Sequence, residues 1–229
     1  MNSPSIDASR AKIKQGYSSP SWWYDLRGFF IFHLAHQDRI IRLARFFAAN
    51  GSSMHLEIAV GSGSFLTIVL LVRRWILRLP PLQGDAVDFA PAMLNGAIRR
   101  LKRVPGWRFQ LADSAHLPFT DQQFATVNMV NALHCMADVH GSLSEAYRVL
   151  RPGGTLALNV VLIPRGGRCR RSIARRVNQW GMRKGLLVRP FEESEVLELV
   201  VSHRFEVCKK AVQGNDLCLL LKKSGRQAP

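Results

Sequence analysis

The clearest candidate for chemistry is an apolar strand followed by a turn of small residues at 56–64, Leu-Glu-Ile-Ala-Val-Gly-Ser-Gly-Ser. Gly61 and Gly63 in this turn carry no Cβ, so the backbone can approach a ligand closely and accept a positive φ. Glu57 adds a carboxylate within the strand that leads into the turn. The pattern predicts a ligand site built from a tight backbone turn and an acid.

A dinucleotide-binding turn has a similar form, but it requires a third small residue three positions after Gly63. Leu66 stands at that position. The spacing fits instead the pattern acidic-x-Gly/Ala-x-Gly-x-Gly, in which Ala59 takes the place of the first glycine. The sequence therefore argues against a nicotinamide dehydrogenase.

The elements around this turn alternate between short apolar runs and longer helical patterns, which is typical of βαβ units and a parallel sheet. Ligands of such sheets lie at the carboxyl ends of the strands. We therefore predict an α/β fold, a doubly wound, seven-stranded, mostly parallel sheet with an antiparallel C-terminal strand. The predicted strands are Met54–Val60, Asp85–Phe89, Trp107–Ala112, Thr126–Ala132, Thr155–Ile163, Arg204–Val212 and Asp216–Lys222, and the helices between the first five are Phe65–Leu79, Pro91–Arg103 and Val139–Leu150.

Four further segments follow the turn in order, at 87–94 (Val-Asp-Phe-Ala-Pro-Ala-Met-Leu), 112–119 (Ala-Asp-Ser-Ala-His-Leu-Pro-Phe), 131–136 (Asn-Ala-Leu-His-Cys-Met) and 145–156 (Glu-Ala-Tyr-Arg-Val-Leu-Arg-Pro-Gly-Gly-Thr-Leu). Together with the turn they resemble the class I S-adenosylmethionine-dependent methyltransferases. Within that superfamily they are similar to the type-11-like branch, which includes ubiquinone and menaquinone C-methyltransferases and natural-product methyltransferases. The resemblance covers about residues 54–163 and implies the Rossmann-like methyltransferase fold.

The resemblance implies S-adenosyl-L-methionine as cofactor, S-adenosyl-L-homocysteine as product, and a set of contact residues. Asp88 would accept hydrogen bonds from both ribose hydroxyls, Asp113 would meet the adenine amino group, and Asn131 begins the loop under the methionine moiety. The long path from Gly63 to Asp88 departs from the family and predicts an extended first helix or a longer loop. The implied cofactor-binding residues are Glu57, Ala59, Gly61, Ser62, Gly63, Asp88, Phe89, Met93, Asp113, Ser114 and Asn131.

Two residues are candidates for catalysis on the acceptor side. Related enzymes fold a tyrosine that precedes the first helix over the cofactor, which makes Tyr24 a candidate, although the surrounding aromatic cluster could equally be plain core. His134 is either a general base or a packed loop residue. A base is needed only if the acceptor is a hydroxyl or a carbon acid, because most of the rate comes from positioning.

The charge distribution bears on the acceptor. The chain carries 32 Lys and Arg against 16 Asp and Glu, a formal net charge of +16, which favours anionic partners. Residues 164–190 hold nine of these cations and no acid, and the superfamily often places its acceptor-binding insertion after the fifth strand. We therefore expect this basic insertion to cover the acceptor site, with a solvated basic helix as the alternative.

A small-molecule or lipid-like acceptor, including an anionic one, is the leading hypothesis, and it includes peripheral contact with a membrane surface. Nucleic acid, as in an RNA methyltransferase, is the alternative that charge alone supports. A non-catalytic scaffold that binds the cofactor is a further alternative, although intact acids and glycines at Glu57, Gly61, Gly63 and Asp88 argue against it.

The remaining features bound the architecture and the compartment. Residues 1–19 are expected to form a flexible leader, and residues 20–229 a single methyltransferase domain. The four cysteines show no C-x-x-C pair and no zinc-ligand spacing, so we predict neither a metal site nor a disulfide framework and expect a reducing, cytoplasmic environment. No apolar run reaches the roughly 20 residues that cross a bilayer.

Overall fold

One seven-stranded sheet forms the centre of the computed structural model, which describes residues 6–18 and 21–224. The strands are β1 (His55–Ile58), β2 (Gly84–Asp88), β3 (Trp107–Leu111), β4 (Phe124–Met129), β5 (Leu150–Val161), β6 (Phe205–Gln213) and β7 (Asp216–Lys223). They lie in the order β3-β2-β1-β4-β5-β7-β6, and β7 is antiparallel to both of its neighbours. The predicted fold class is confirmed.

Eight α-helices surround this sheet in the described part of the chain. They are α1 (Ile6–Gly16), α2 (Ser21–Ile31), α3 (Ile40–Ala49), α4 (Ser64–Leu71), α5 (Pro91–Leu101), α6 (Val139–Val149), α7 (Arg168–Arg183) and α8 (Glu193–Ser202). Two π-helical turns, Phe32–His36 and Val72–Ile76, continue α2 and α4. Among the described residues, no helix has both the length and the apolar character needed to cross a bilayer.

The core lies on both faces of the sheet because side chains alternate along each strand. Leu156 and Leu158 of β5 join the apolar cluster that contains α6 and α8. Ala157, between them, joins the cluster built with α3 and α4, as does Cys218 of β7. The two helical layers thus support the strands, and the carboxyl ends of the parallel strands remain available for a site.

The path between β1 and β2 differs from the predicted helix over 65–79. Helix α4 ends at Leu71 and changes into the π-helical turn, and a loop then leads to β2. Arg73 of the turn is buried, and its guanidinium donates to the backbone oxygens of Ala48, Gly51 and Pro80 at 2.6, 3.2 and 2.7 Å. These bonds attach the extended loop to the end of α3.

Other predicted elements shift at their ends. Strand β5 begins at Leu150 rather than at residue 155, since the chain through Gly153 stays extended apart from that glycine, at φ 74°. Residues 6–16 of the expected flexible leader form helix α1, with Arg10 held by Asp113. Residues 1–5 and 19 lie outside the described residues. The division into one domain with a basic insertion stays a prediction.

Candidate active site

A cavity lies at the carboxyl ends of β1, β2 and β4, and α1 closes it from outside. The structure brings nine of the eleven predicted cofactor residues to this cavity: Glu57, Ala59, Gly61, Ser62, Asp88, Phe89, Asp113, Ser114 and Asn131. Gly63 and Met93 do not line it. Met93 is fully buried in α5, so its position is that of a core residue.

The small-residue turn after β1 uses its two glycines differently. A Cβ on Gly61 would meet no atom within 4 Å, and its φ is +59°. A Cβ on Gly63 would lie 2.9 Å from the Cα of Ala97, so this glycine allows the turn to pack on α5. Ala59, which replaces the first glycine of the pattern, also has a positive φ of 58°. Gly61 therefore serves the cavity, and Gly63 serves the packing beneath it.

Glu57 is a buried acid on the cavity wall. Its Oε1 accepts a hydrogen bond from Asn128 Nδ2 at 2.8 Å and lies 3.0 Å from Nε2 of His55. His55 in turn contacts Thr126 Oγ1 through Nδ1 at 2.8 Å. Within the described residues these contacts all go to Oε1, which leaves Oε2 to accept hydrogen bonds from a ligand.

Asp88, at the end of β2, is held by the backbone of the neighbouring turn. Its Oδ2 accepts from the N–H of Gly61 at 2.7 Å and its Oδ1 from the N–H of Ala90 at 2.8 Å. Burial raises the pKa of Asp88 to about 6, although these backbone N–H groups act in the opposite direction. Each oxygen keeps a second lone pair, so the carboxylate can accept two hydroxyl groups from one ligand.

Asp113 connects the sheet edge to α1. Its Oδ2 lies 2.9 Å from the guanidinium of Arg10, and its Oδ1 accepts from the N–H of Ala115 at 3.0 Å. The neighbouring Ser114 contacts Ser142 through their hydroxyls at 2.7 Å. Arg10 lines the cavity as well, so the ion pair closes the site at the position predicted for the adenine amino group.

Asp25 of α2 attaches that helix to the small-residue turn. The hydroxyls of Ser62 and Ser64 both donate to Oδ1 of Asp25. Arg100 of α5 donates to its Oδ2 at 2.7 Å and to the backbone oxygen of Ser62 at 3.2 Å. Three segments distant in the sequence are thereby fixed around the turn.

Asn131 leads a buried polar network away from the cavity. It has a positive φ of 50°, and it exchanges two hydrogen bonds with Asn159, at 2.7 and 2.5 Å. Asn159 also donates to Asp216, whose Oδ1 lies 3.2 Å from Nδ1 of His36. This network holds the loop after β4 in its left-handed conformation.

His134 and Cys135 follow in that loop. His134 does not line the cavity, and the N–H of Val161 donates to its Nδ1 at 3.3 Å. Burial lowers the pKa of His134 to about 3, so the ring is neutral, and its position favours a structural role. Cys135 lines the cavity, but burial raises the pKa of its thiol to about 11. The thiol contacts the backbone oxygen of Leu186 at 3.0 Å, which keeps it a packed, protonated group.

Tyr24 belongs to α2, but its side chain lies outside the described residues, so its role stays a prediction. The basic insertion at 164–190 contributes no described side chain to the cavity. It supports α1 instead, because Tyr17 donates its hydroxyl to the backbone oxygen of Leu186 at 3.1 Å. A Cβ on Gly16 would lie 2.6 Å from the oxygen of Lys184, which shows how closely α1 packs there.

Sequence reasoning missed Arg10, Tyr17, Asp25 and Arg100. Their contacts join positions far apart in the chain, 75 residues for Asp25 and Arg100, and no local spacing marks them. Asp25 directly follows three aromatic residues at 22–24, but that run does not indicate which residues Asp25 contacts.

Comparison with known proteins points to one family. Residues 56–158 match the family model described as a methyltransferase domain. The segment at 56–158 is therefore similar to methyltransferase domains. A demethylmenaquinone methyltransferase of Thermus thermophilus is 36% identical over 104 residues, which is 45% of this chain and 44% of the relative. A phthiotriol/phenolphthiotriol dimycocerosates methyltransferase of Mycobacterium leprae is 34% identical over 105 residues, 44% of this chain and 35% of the relative.

The chain thus aligns with less than half the length of these curated relatives. Solved structures agree on the fold. A SAM-dependent methyltransferase from Thermotoga maritima has a TM-score of 0.58 at 19% identity and covers 87% of this chain and 96% of its own. The [4+2]-cyclase SpnF has a TM-score of 0.64 at 16% identity and covers 80% of each chain. The cyclase shows that this fold also serves other chemistry.

Proposed function

We propose that this protein transfers the methyl group of S-adenosyl-L-methionine to a small-molecule or lipid-like acceptor. The observation that carries the proposal is the pair of buried carboxylates at the ends of adjacent strands, Glu57 and Asp88, on either side of the Gly61 turn in one cavity. The matched domain supports the same conclusion. A cationic ligand with two neighbouring hydroxyls and a hydrogen-bond donor at its other end fits this set of acids.

When bound, S-adenosyl-L-methionine supplies an electrophilic methyl group on a sulfonium centre, which an acceptor nucleophile displaces in line to leave S-adenosyl-L-homocysteine. The chain's own residues position the reactants. We assign Asp88 to the ribose hydroxyls and Asp113 to the adenine amino group. Glu57 is assigned to the part of the cofactor that lies near Gly61. Because Glu57 and Asp88 are acceptors fixed by hydrogen bonds, they need no rearrangement when the ligand arrives.

The acceptor is proposed to be quinone-like or another lipid-like molecule. The supporting relatives are named for demethylmenaquinone and for phthiotriol dimycocerosates. Neither His134 nor Cys135 is placed to act as a base: His134 lies outside the cavity and burial lowers its pKa to about 3, and burial raises the pKa of the Cys135 thiol to about 11, which keeps it protonated. An acceptor that is already nucleophilic, or a base supplied by Tyr24, is consistent with this arrangement.

Peripheral contact with an anionic membrane surface is part of the proposal. Helix α7 exposes six arginines, at 168, 170, 171, 175, 176 and 183, and basic residues near an anionic surface contribute about 1 kcal/mol each. The same helix supports the competing hypothesis of an RNA acceptor, because RNA phosphates would also neutralise the positive charge of its arginines. Vesicle sedimentation and RNA binding at two salt concentrations, with Arg170, Arg171, Arg175 and Arg176 replaced by Gln, separate the two.

Two measurements test the central proposal. Calorimetry should show binding of S-adenosyl-L-methionine and S-adenosyl-L-homocysteine. It should show no binding of NAD, because Leu66 occupies the position of the third small residue of the dinucleotide-binding motif. Labelled cofactor added to a lipid extract and to total RNA should then transfer its label to the lipid fraction. NAD binding without any response to the homocysteine product contradicts the cofactor assignment, and label in RNA alone contradicts the acceptor assignment.

A further inference from the structure

A second concave surface lies on the far side of α1 from the cavity. We call it the outer groove and define it by its described lining residues, Lys12, Gln15, Gly16, Trp23, Leu26, Phe30, Ile31, Leu34, Arg176, Val177, Trp180, Arg183 and Lys184. It has a volume of about 880 Å³, within the roughly 300–1,000 Å³ that is usual for small-molecule sites. Helices α1, α2 and α7 form its walls.

The floor of the outer groove is apolar although it faces solvent. Trp23, Leu26, Phe30 and Leu34 recur at three- and four-residue intervals on one face of α2 and the π-helical turn after it. Their exposed fractions are 47%, 48%, 55% and 43%. Such a continuous apolar stripe on a folded protein marks an interaction site more often than chance exposure of single residues does.

The rim of the outer groove is cationic. Lys12 of α1 and Arg176, Arg183 and Lys184 in and after α7 all line it, and the described lining includes no carboxylate. Among the described residues, no acid forms an ion pair with Arg176 or Arg183. Arginine is suited to carboxylate and phosphate groups because its planar guanidinium donates two parallel hydrogen bonds.

We propose that the outer groove binds a single anionic amphiphile, with its apolar chain on the α2 stripe and its acidic head group at the α7 cations. A concave site of this volume has room for one extended chain, whereas a flat bilayer surface offers no separate chain to fill it. The cationic rim at the groove's edge gives the head group a fixed position. The inference does not rest on the proposed function, because the groove shares no lining residue with the cofactor cavity.

The test uses the full chain and 9,10-dibromostearate, a long-chain carboxylate whose bromines quench tryptophan fluorescence on contact. Quenching should saturate below the micelle concentration, and the methyl ester of the same acid should bind at least about fivefold more weakly, since it lacks the charge. Replacing Phe30 and Leu34 by Ala should weaken binding at least about tenfold. Arg176→Gln with Arg183→Gln should weaken it about fivefold or more.

The matched control is Arg168→Gln with Arg171→Gln, on the same helix but outside the groove, and it should leave the affinity unchanged. Circular dichroism and S-adenosyl-L-methionine calorimetry on each variant verify that it is folded. Binding to anionic vesicles but not to the monomeric acid overturns the inference, as does equal loss in the control and the groove variants. A protein that binds the cofactor but not the acid refutes this inference alone, and the opposite result refutes only the proposed function.

Discussion

The carboxyl edge of the sheet and the helical cover made by α1, α2 and α7 have opposite electrostatic character. At the edge, the acids Glu57 and Asp88 are buried and held by amide, imidazole and backbone N–H groups. On the cover, exposed arginines of α7 surround an apolar stripe. The edge is suited to a cation that carries several hydrogen-bond donors, and the cover is suited to an anionic amphiphile. The two regions of the protein therefore favour ligands of opposite charge.

The largest effect should come from Gly61→Val. The valine side chain would enter the cavity, where a Cβ meets open space, and a β-branched residue at φ +59° is strained. We expect cofactor affinity, measured by calorimetry, to fall at least about a hundredfold. Gly166→Val is the matched control, because Gly166 also has a positive φ and open space but lies outside the cavity. Equal affinities for the two variants would show that the edge does not hold the cofactor.

The next effect concerns the buried acid of β2. Asp88→Ala should weaken cofactor binding by about 1–3 kcal/mol, the range for leaving buried hydrogen-bond partners unpaired. Asp85→Ala is the control, since Asp85 lies on the same strand and pairs with the exposed Arg108 instead. Unchanged cofactor affinity in a folded Asp88→Ala protein would contradict the proposed contact between Asp88 and the ribose.

The same acid predicts a pH dependence. Burial raises the pKa of Asp88 to about 6, above the value of roughly 3.9 in an unfolded chain, so the folded protein binds this proton more tightly. The contribution of Asp88 to stability is therefore present at low pH and is lost as the pH rises from about 4 to about 6. Cofactor affinity should change in the opposite sense, increasing as the pH rises through about 6, because the ionised carboxylate is the better acceptor.

Urea unfolding and calorimetry across this window check both directions. Asp88→Ala should reduce each slope relative to the wild-type protein, while Asp85→Ala should leave both slopes in place. A wild-type cofactor affinity that stays constant from about pH 5 to about pH 7 would contradict the raised pKa of Asp88.

A smaller effect is expected where the cover meets the edge. Arg10→Gln removes the ion pair with Asp113, which is partly exposed. The loss of cofactor-binding free energy should therefore be about 0.2–1 kcal/mol. We expect this loss to appear mainly as faster cofactor dissociation in stopped-flow experiments, because α1 closes the cavity. Lys14→Gln, on the same helix but outside the cavity, is the control. A dissociation rate that responds equally to both changes would show that general charge, rather than this pair, controls release.

The effect of Ala59→Gly should be a small difference between two opposing contributions. Alanine at φ 58° carries a left-handed strain of about 1–2 kcal/mol, and glycine loses about 0.5–1 kcal/mol through its greater freedom in the unfolded chain. The balance predicts a stability gain between zero and about 1.5 kcal/mol in urea unfolding. Ala86→Gly, in the middle of β2, should instead destabilise the protein. Loss of stability in both variants would show that the turn is not strained.

The two regions also differ in how far the sequence predicts them. The edge depends on local backbone geometry, so Gly61 and Asp88 are identifiable from spacing and from the family resemblance. Gly63 and Met93 share that pattern but lie in the packing beneath the site, because conformational and packing demands select the same residues as ligand approach does. The pattern alone does not separate these demands.

The cover was predictable only in its charge. The basic run at 164–190 predicts a cationic helix, but not that Leu186, in the loop after that helix, accepts the hydrogen bond from Tyr17 that supports α1. Arg10 pairs with Asp113 across about half of the chain, and no periodicity encodes a contact of that range. The N-terminal helix was missed because its composition is polar, and tertiary contacts rather than an apolar face hold it in place.

Helix α1 forms a wall of both sites: Arg10 and Ile13, with Tyr17 directly after the helix, line the cofactor cavity, and Lys12, Gln15 and Gly16 line the outer groove. We expect a ligand on either side to restrict this helix and so to lower the entropic cost of ordering it for a ligand on the other side. Thermodynamic linkage then requires each ligand to increase the affinity of the other by the same factor. Titrating cofactor with and without dibromostearate, and the reverse, measures that factor. A value of one would mean that α1 is already rigid in the ligand-free protein.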